Sequence, residues 1–262
     1  MRHLDHIEQR TDELAKGLIA ARAAFEAAFW TASGLSEQAK KAQPADDQPL
    51  NSVEADALLT AIASLGDELF LDAFWSDLSI ALTFGWDSAR ELLKADIGFD
   101  VVPSWAMSAL REHVDEFSSM VVKREKDFLV SLVDDALSKG ATPKALGQTI
   151  ADAFADGYHV ASEDGTVTRK IPTKAWSLMV ARTELSRAQT QGAMDLYTAA
   201  GVQEVLWATT EGKNVCPRCA GADGKIVKLG ENFPSVNVPA APAHPMCACA
   251  ILPAQQEQDI AA

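Results

Sequence analysis

The stretch "TKAWSLMVARTELSRAQTQGAMDLYTAAGVQEVLWATT", Thr173–Thr210, changes character once. Up to Ala200 it is dominated by Ala, Leu, Met, Gln, Arg and Glu, which are good helix formers, and it contains no proline. Gly201 ends that run, as a glycine just past a helix does. From Val202 the residues become Val, Leu, Trp and Thr in a short segment bounded by turn formers, the composition of a strand. The chain is therefore helical before this glycine and strand-forming after it.

Upstream, nearly everything reads as helix. Residues 1–30 form an N-terminal helix of strong formers, and 31–52, "TASGLSEQAKKAQPADDQPLNS", reads as a linker. Leu58, Ile62, Leu65 and Leu69 recur at 4, 3, 4 and predict one helix face, with Ser52 as its cap. Residues 53–140 make a helical region whose longest element spans 104–139, carrying Met107, Leu110, Val114, Phe117, Val121 and Phe128 on one side and stopping at Gly140. Such a helix is about 50 Å long, which favours an elongated helical part. Thr142 before Pro143 is an N-cap with a first-turn proline, opening a helix with Leu146, Ile150 and Phe154 on one face. "SEDGTVTRKIP" (162–172) reads as a turn between two extended pieces.

Downstream, "VQEVLWATT" (202–210), "GKIVKL" (224–229) and "CACAIL" (247–252) read as strands, and all four cysteines lie among them. The fold class is thus α+β, mostly α: an elongated helical N-terminal part and a small cysteine-rich C-terminal β element at 202–253. Cys216 and Cys219 stand as C-x2-C, then His244, Cys247 and Cys249 as H-x2-C-x-C. C-x2-C brings two thiolates onto one ion from a tight turn, and a strand at 247–252 turns Cys247 and Cys249 to the same side. Four cysteines, or three with His244, make a closed structural zinc site. Two disulfides, a redox "CPRC", a cysteine nucleophile with His244 and metal-free thiols are the competing readings. The redox reading needs Cys216 at a helix N-terminus within a βαβ unit, to depress its pKa, and the sequence context is a β-turn.

Composition narrows the function. A 48% hydrophobic share supports a real core, so disorder throughout is excluded. With 37 acids against 23 Lys and Arg, the net charge of −14 opposes indiscriminate binding to nucleic acid. Residues 166–230 nonetheless hold nine bases and five acids, whereas 51–100 hold ten acids and two bases. The charged N-terminus and the lack of a long apolar run predict neither a conventional secretion signal nor a membrane span. No H-E-x-x-H, Walker loop, G-x-G-x-x-G or G-x-S-x-G is present.

Three segments carry a resemblance: "VARTELSRAQTQGAMDLYTAAG" (180–201), "VLWATTEGKNVCPRCAGADGK" (205–225) and "AHPMCACAILP" (243–253). Their order (an A-R-T-E helix, a glycine, a Trp-bearing strand, V-C-P-x-C, a D-G turn, H-P-x-C-x-C and a closing proline) resembles the head morphogenesis family of tailed phages, minor head proteins typified by the F protein of phage Mu. The family's C-R-C is here Cys247-Ala248-Cys249, and its aspartate ahead of the first pair is replaced by Glu211 at a different spacing. The resemblance implies a domain at 141–253, followed by a tail at 254–262. It implies a structural virion component at the portal vertex inside the capsid, met in the host cytoplasm during assembly, that assists head assembly, packaging or DNA delivery. Its expected partners are the portal protein, the major capsid or scaffold protein and packaged DNA, with no membrane. No catalytic residue carries over; Arg182, Thr183 and Glu184 carry over as the signature helix, with Arg182 and Glu184 expected to anchor it to the β element. Two other readings stand beside it. One is a hydrolase or transferase effector using Cys216 or His244, for which the ten residues or so after "AILP" leave no room for a fused domain. The other is a zinc-ribbon nucleic-acid binder drawing on the basic stretch at 166–230.

Overall fold

The structure is a computed structural model, and it describes residues 2–35, 48–94, 102–161, 167–209 and 215–254. In chain order the elements are α1 (Arg2–Ser33), α2 (Ser52–Ala63), α3 (Glu68–Leu93), α4 (Ser104–Ser138), α5 (Pro143–Asp156), β1 (Tyr158–Ala161), β2 (Val167–Ile171), α6 (Thr173–Ala199), β3 (Glu204–Ala208), α7 (Pro217–Ala222), β4 (Ile226–Lys228) and β5 (Ala250–Pro253). The fold is mostly α with small antiparallel sheets, as the change at Gly201 indicates. Most of the expected linker, the turn at 162–166, Glu211 and nearly all of the tail lie outside the described residues.

Local chemistry sets the boundaries. Gly140 and Gly201 adopt positive φ (62° and 70°), the left-handed conformation that ends α4 and α6. Thr142 caps α5 as expected, its Oγ1 accepting the Ala145 N–H at 3.2 Å ahead of Pro143. The cap of α2 is Asn51 rather than Ser52: Asn51 Oδ1 accepts from Glu54 N–H at 3.0 Å while Glu54 Oε2 accepts from Asn51 N–H at 3.1 Å. This reciprocal pair satisfies two donors where a serine one residue later would satisfy one. The run Leu58, Ile62, Leu65, Leu69 does not lie on one helix, because α2 ends at Ala63 and α3 begins at Glu68. Asp67 takes the N-cap place of α3, its carbonyl accepting from Phe70 and Leu71 N–H at 3.0 Å each, and Leu69 ends 44% exposed. Periodicity continued across a break that local caps had already fixed.

The chain divides into two compact units. One comprises Lys16–Phe74 and Val114–Ser177. Its core holds Leu18, Phe25, Phe29, Phe70, Phe74, Val121, Leu129 and Ile150, and inside it Arg22 pairs with Glu125 at 2.5 Å with both side chains buried. Arg22 also donates to the Gly157 carbonyl at 2.8 Å and lies 4.0 Å over the Tyr158 ring, tying α1, α4 and the α5–β1 junction together. Burial pushes the Glu125 carboxyl up despite Arg22, since desolvation outweighs the pairing. The hairpin of β1 and β2 pairs Tyr158 with Ile171 and His159 with Lys170.

The other unit comprises Met1–Ala15, Trp75–His113 and Leu178–Ala262. Here α3 and α6 meet backbone to backbone: a Cβ on Gly85 would fall 1.8 Å from the Gln189 carbonyl oxygen, and one on Gly192 would fall 2.0 Å from that of Leu82. Two glycines make that approach sterically possible. β3 is the central strand of the order β4-β3-β5, with Val205 and Trp207 turned inward. These two pack with Trp86, Leu196, Tyr197, Phe233, Val236 and Ile251 in one cluster that also contains Cys219, Cys247 and Cys249. The β element therefore has a core, built jointly with α3 and α6. Tyr197 closes it by donating its hydroxyl to the Ile251 carbonyl at 3.2 Å.

Candidate metal centre

The first thiol pair is set by a short helix. Cys216 is the N-cap of α7, Pro217 is its first residue, and the Cys216 Sγ accepts the Cys219 N–H at 3.3 Å. The sequence context had read as a β-turn, but the proline and the thiol acceptor start a six-residue helix instead. Behind it the D-G turn is fixed by Gly224 at φ 69° and by Asp223, whose Oδ1 accepts the Thr209 N–H at 2.8 Å. That bond holds the Asp223 carboxyl below its usual range.

The second group comes from the loop before β5. The strand begins at Ala250, so Cys247 and Cys249 precede it rather than alternate within it. A turn closes over His244-Pro245-Met246-Cys247, with Cys247 N–H donating to the His244 carbonyl at 3.1 Å. Met246, at φ 64°, donates its N–H at 3.0 Å to Thr183 Oγ1, which in turn donates to the Met179 carbonyl at 2.7 Å. The signature helix thus reaches the cysteine loop through a hydroxyl.

The charges on either side of that hydroxyl have other positions. Buried Glu184 accepts from His113 Nε2 at 2.8 Å and lies 3.2 Å from Arg187 Nε. Arg182 has its Nε buried without a hydrogen-bond partner among the described residues. Arg182 and Glu184 are not the anchor expected between α6 and the β element, since the shorter Thr183 side chain is the one aimed at the loop. His113, missed in the sequence, sits on α4 amid ordinary surface-type residues and carries no spacing signal.

All four cysteines are free thiols. The donor atoms of Cys216, Cys219 and His244 lie within 4.8 Å of one another, and so do those of Cys219, Cys247 and Cys249, so two triads share Cys219. His244 Nε2 is 3.2 Å from the Sγ of both Cys216 and Cys219, and Cys219 Sγ is 3.9 Å from Cys247 Sγ. With Zn–S of about 2.3 Å and Zn–N of about 2.0–2.1 Å, a tetrahedral ion sets S···S at about 3.8 Å and S···N at about 3.6 Å. The donors present fit such an ion in type and spacing. His244 Nδ1 donates to the Pro245 carbonyl at 2.9 Å, which leaves the Nε2 lone pair of the neutral ring facing the thiols.

Protonation inside the cluster is divided. Hydrogen bonding from Cys249 pulls the Cys247 thiol down to about 5. Burial, followed by bonding to Cys216 and the charge on Cys247, pushes Cys219 up to about 12. Cys249 is pushed up, first by its bond to Cys247 and then by burial. The Cys219 N–H lowers Cys216, and the bond to Pro245 raises His244. Neighbouring thiolates oppose one another's ionisation, and a divalent cation among them cancels that opposition. The chemistry the arrangement supports is metal binding by a soft donor set.

A groove of about 470 Å³ lies in the same unit, lined by Leu110, His113, Arg187, Gln191, Pro239 and Pro242 among others, with no cysteine in its lining. Among the described residues no helix is long and apolar enough to cross a membrane.

This is a mostly helical protein whose A-R-T-E helix, C-P-x-C helix and H-P-x-C-x-C loop converge on one thiol–imidazole centre. Residues 129–252, a little under half of the chain, match the family described as Phage Mu protein F like protein, which supports the resemblance to the phage head morphogenesis family. No curated protein and no solved structure matches the chain. The role that goes with the family is in phage head morphogenesis.

Proposed function

We propose that this chain is a structural minor head protein of a tailed phage or prophage, acting at the portal vertex on the capsid interior to assist head assembly, packaging or DNA delivery. Its partners are the portal protein and the major capsid or scaffold protein, with packaged DNA as a further contact. A structural zinc ion, held among Cys216, Cys219, His244, Cys247 and Cys249, stabilises the C-terminal element. The carrying observation is that three sequence-distant segments of the matched family meet at one centre, with Thr183 of the signature helix bonded to the cysteine loop.

Quantitative mass spectrometry of purified particles tests this reading, comparing copies of the chain with portal and shell subunits in full and emptied heads. A few copies per portal ring are expected, and fewer in emptied heads if the protein leaves with the genome. Absence from particles overturns it. A second reading, a cysteine-dependent effector, draws on the 3.2 Å Cys216–His244 contact. His244 is equally close to Cys219, however, which suits a shared ligand better than a nucleophile–base pair. Activity lost in Cys216→Ser with metal content intact would favour the effector.

A further inference from the structure

Five donors surround a centre that a tetrahedral ion fills with four, and the structure distinguishes among them. We infer that the ion is held by Cys216, Cys219, His244 and Cys247, while Cys249 is a buried thiol outside the coordination sphere. This rests on the zinc reading above and deepens it.

The backbone carries the argument. C-x2-C and H-x2-C have the same step, and each is closed by its own hydrogen bond: Cys219 N–H to Cys216 Sγ at 3.3 Å, and Cys247 N–H to the His244 carbonyl at 3.1 Å. The centre is thus built from two facing knuckles, with His244 of the second reaching into a triad with Cys216 and Cys219 and Cys247 lying in the triad on the other side of Cys219. They already touch, since His244 Nε2 is 3.2 Å from both thiols of the first knuckle and Cys247 Sγ is 3.9 Å from Cys219 Sγ.

Cys249 is held differently. It directly precedes β5, and Ala250 is registered against Ala208 of β3, which fixes the backbone at this point. Cys247 and Cys249 both share a triad with Cys219 and neither shares one with Cys216 or His244, so the two are distinguished by the backbone that carries them. A four-cysteine site would have to bring Cys216 and Cys249 together against that register. The four-donor set with His244 instead brings in Cys247, which is carried by a closed turn ahead of the strand and outside its register. The Nδ1 bond from His244 to Pro245 at 2.9 Å is the kind of outer contact that orients an imidazole ligand.

X-ray absorption on the zinc-loaded full chain tests this without any mutation. Three sulfurs at about 2.3 Å and one nitrogen at about 2.0–2.1 Å are expected. Four sulfurs overturn the inference and leave the zinc reading standing. A reduced, purified chain that takes up neither zinc nor cobalt(II) overturns both. Cobalt(II) spectra of variants give a second readout: Cys249→Ser should keep the tetrahedral bands and the thiolate charge-transfer intensity of the parent. His244→Ala should lose more than about 100-fold in zinc affinity, beyond the range of outer-shell changes. Loss of charge-transfer intensity in Cys249→Ser with the parent bands retained in His244→Ala would overturn the assignment.

Discussion

Gly192→Ala separates a packing glycine from an idle one by the sign of its effect. In an open helix interior, replacing glycine by alanine stabilises by about 1 kcal/mol, because the backbone loses less freedom on folding. In α6 the new Cβ would lie 2.0 Å from the Leu82 carbonyl oxygen and 2.9 Å from the Trp86 amide nitrogen, both backbone atoms of α3. Ordinary contact begins at 3.4 Å, so the two helices must separate locally by about 1.4 Å. That movement loosens Trp86 and Ala89, which are 1% exposed members of the cluster around Trp207. Overpacking of a well-filled core costs about 1–3 kcal/mol, which outweighs the gain in helix propensity. We therefore expect a net loss of about 1 kcal/mol, or a melting temperature lower by about 2–4 °C. Urea unfolding followed by near-ultraviolet circular dichroism and tryptophan emission measures it. Gly85→Ala should behave alike, its Cβ meeting the Gln189 carbonyl at 1.8 Å. The double variant should lose less than the sum of the two, since one separation relieves both overlaps. A Gly192→Ala protein more stable than its parent would refute the backbone contact.

Three further outcomes are expected. Thr183→Val should destabilise by about 1–3 kcal/mol, because the Met246 N–H loses its acceptor, while Thr183→Ser should retain most of the stability; thermal melts distinguish them. Asp195 is buried with Oδ2 unpaired among the described residues, and burial raises its carboxyl pKa above 3.8 despite the bond from Gln191. The folded state then binds the proton more tightly than the unfolded one, so charged Asp195 costs stability above its folded pKa and nothing once pH falls below the unfolded value. Asp195→Asn should be the more stable protein at neutral pH, with the difference vanishing toward pH 3.8 in melts across that range; a constant difference would contradict it. A chelator with reductant should abolish most of the near-ultraviolet signal of Trp207 while the far-ultraviolet helical signal largely persists, and added zinc should restore it.

What could be read in advance follows from how local each feature is. Gly140, Gly201 and the Thr142-Pro143 pair act within a few residues, and their boundaries stand where the sequence placed them. Leu65 and Leu69 misled because apolar period alone does not register Asp67 taking over as a cap. "CPRC" misled because the helix it begins is too short for any periodicity to show. The donor residues were legible as spacing. The Thr183 bond to Met246, the division of the donors into two triads that share Cys219 and the His113–Glu184 contact were not, because each joins positions far apart in the chain.

The register of the β element has a kinetic meaning. β5 finds β3 by pairing Ile251 with Trp207, roughly 44 residues back along the chain, a slow search next to local helix formation. If the two knuckles share the proposed ion, the path between these strands shortens to roughly 13 residues. By the logarithmic dependence of closure on length, this removes about 1 kcal/mol of entropy from the search. On the zinc reading proposed above, metal uptake would then be a step in maturation: a newly made chain without it would hold its helices while β3 keeps an unpaired edge, open to neighbouring chains until the clasp shuts.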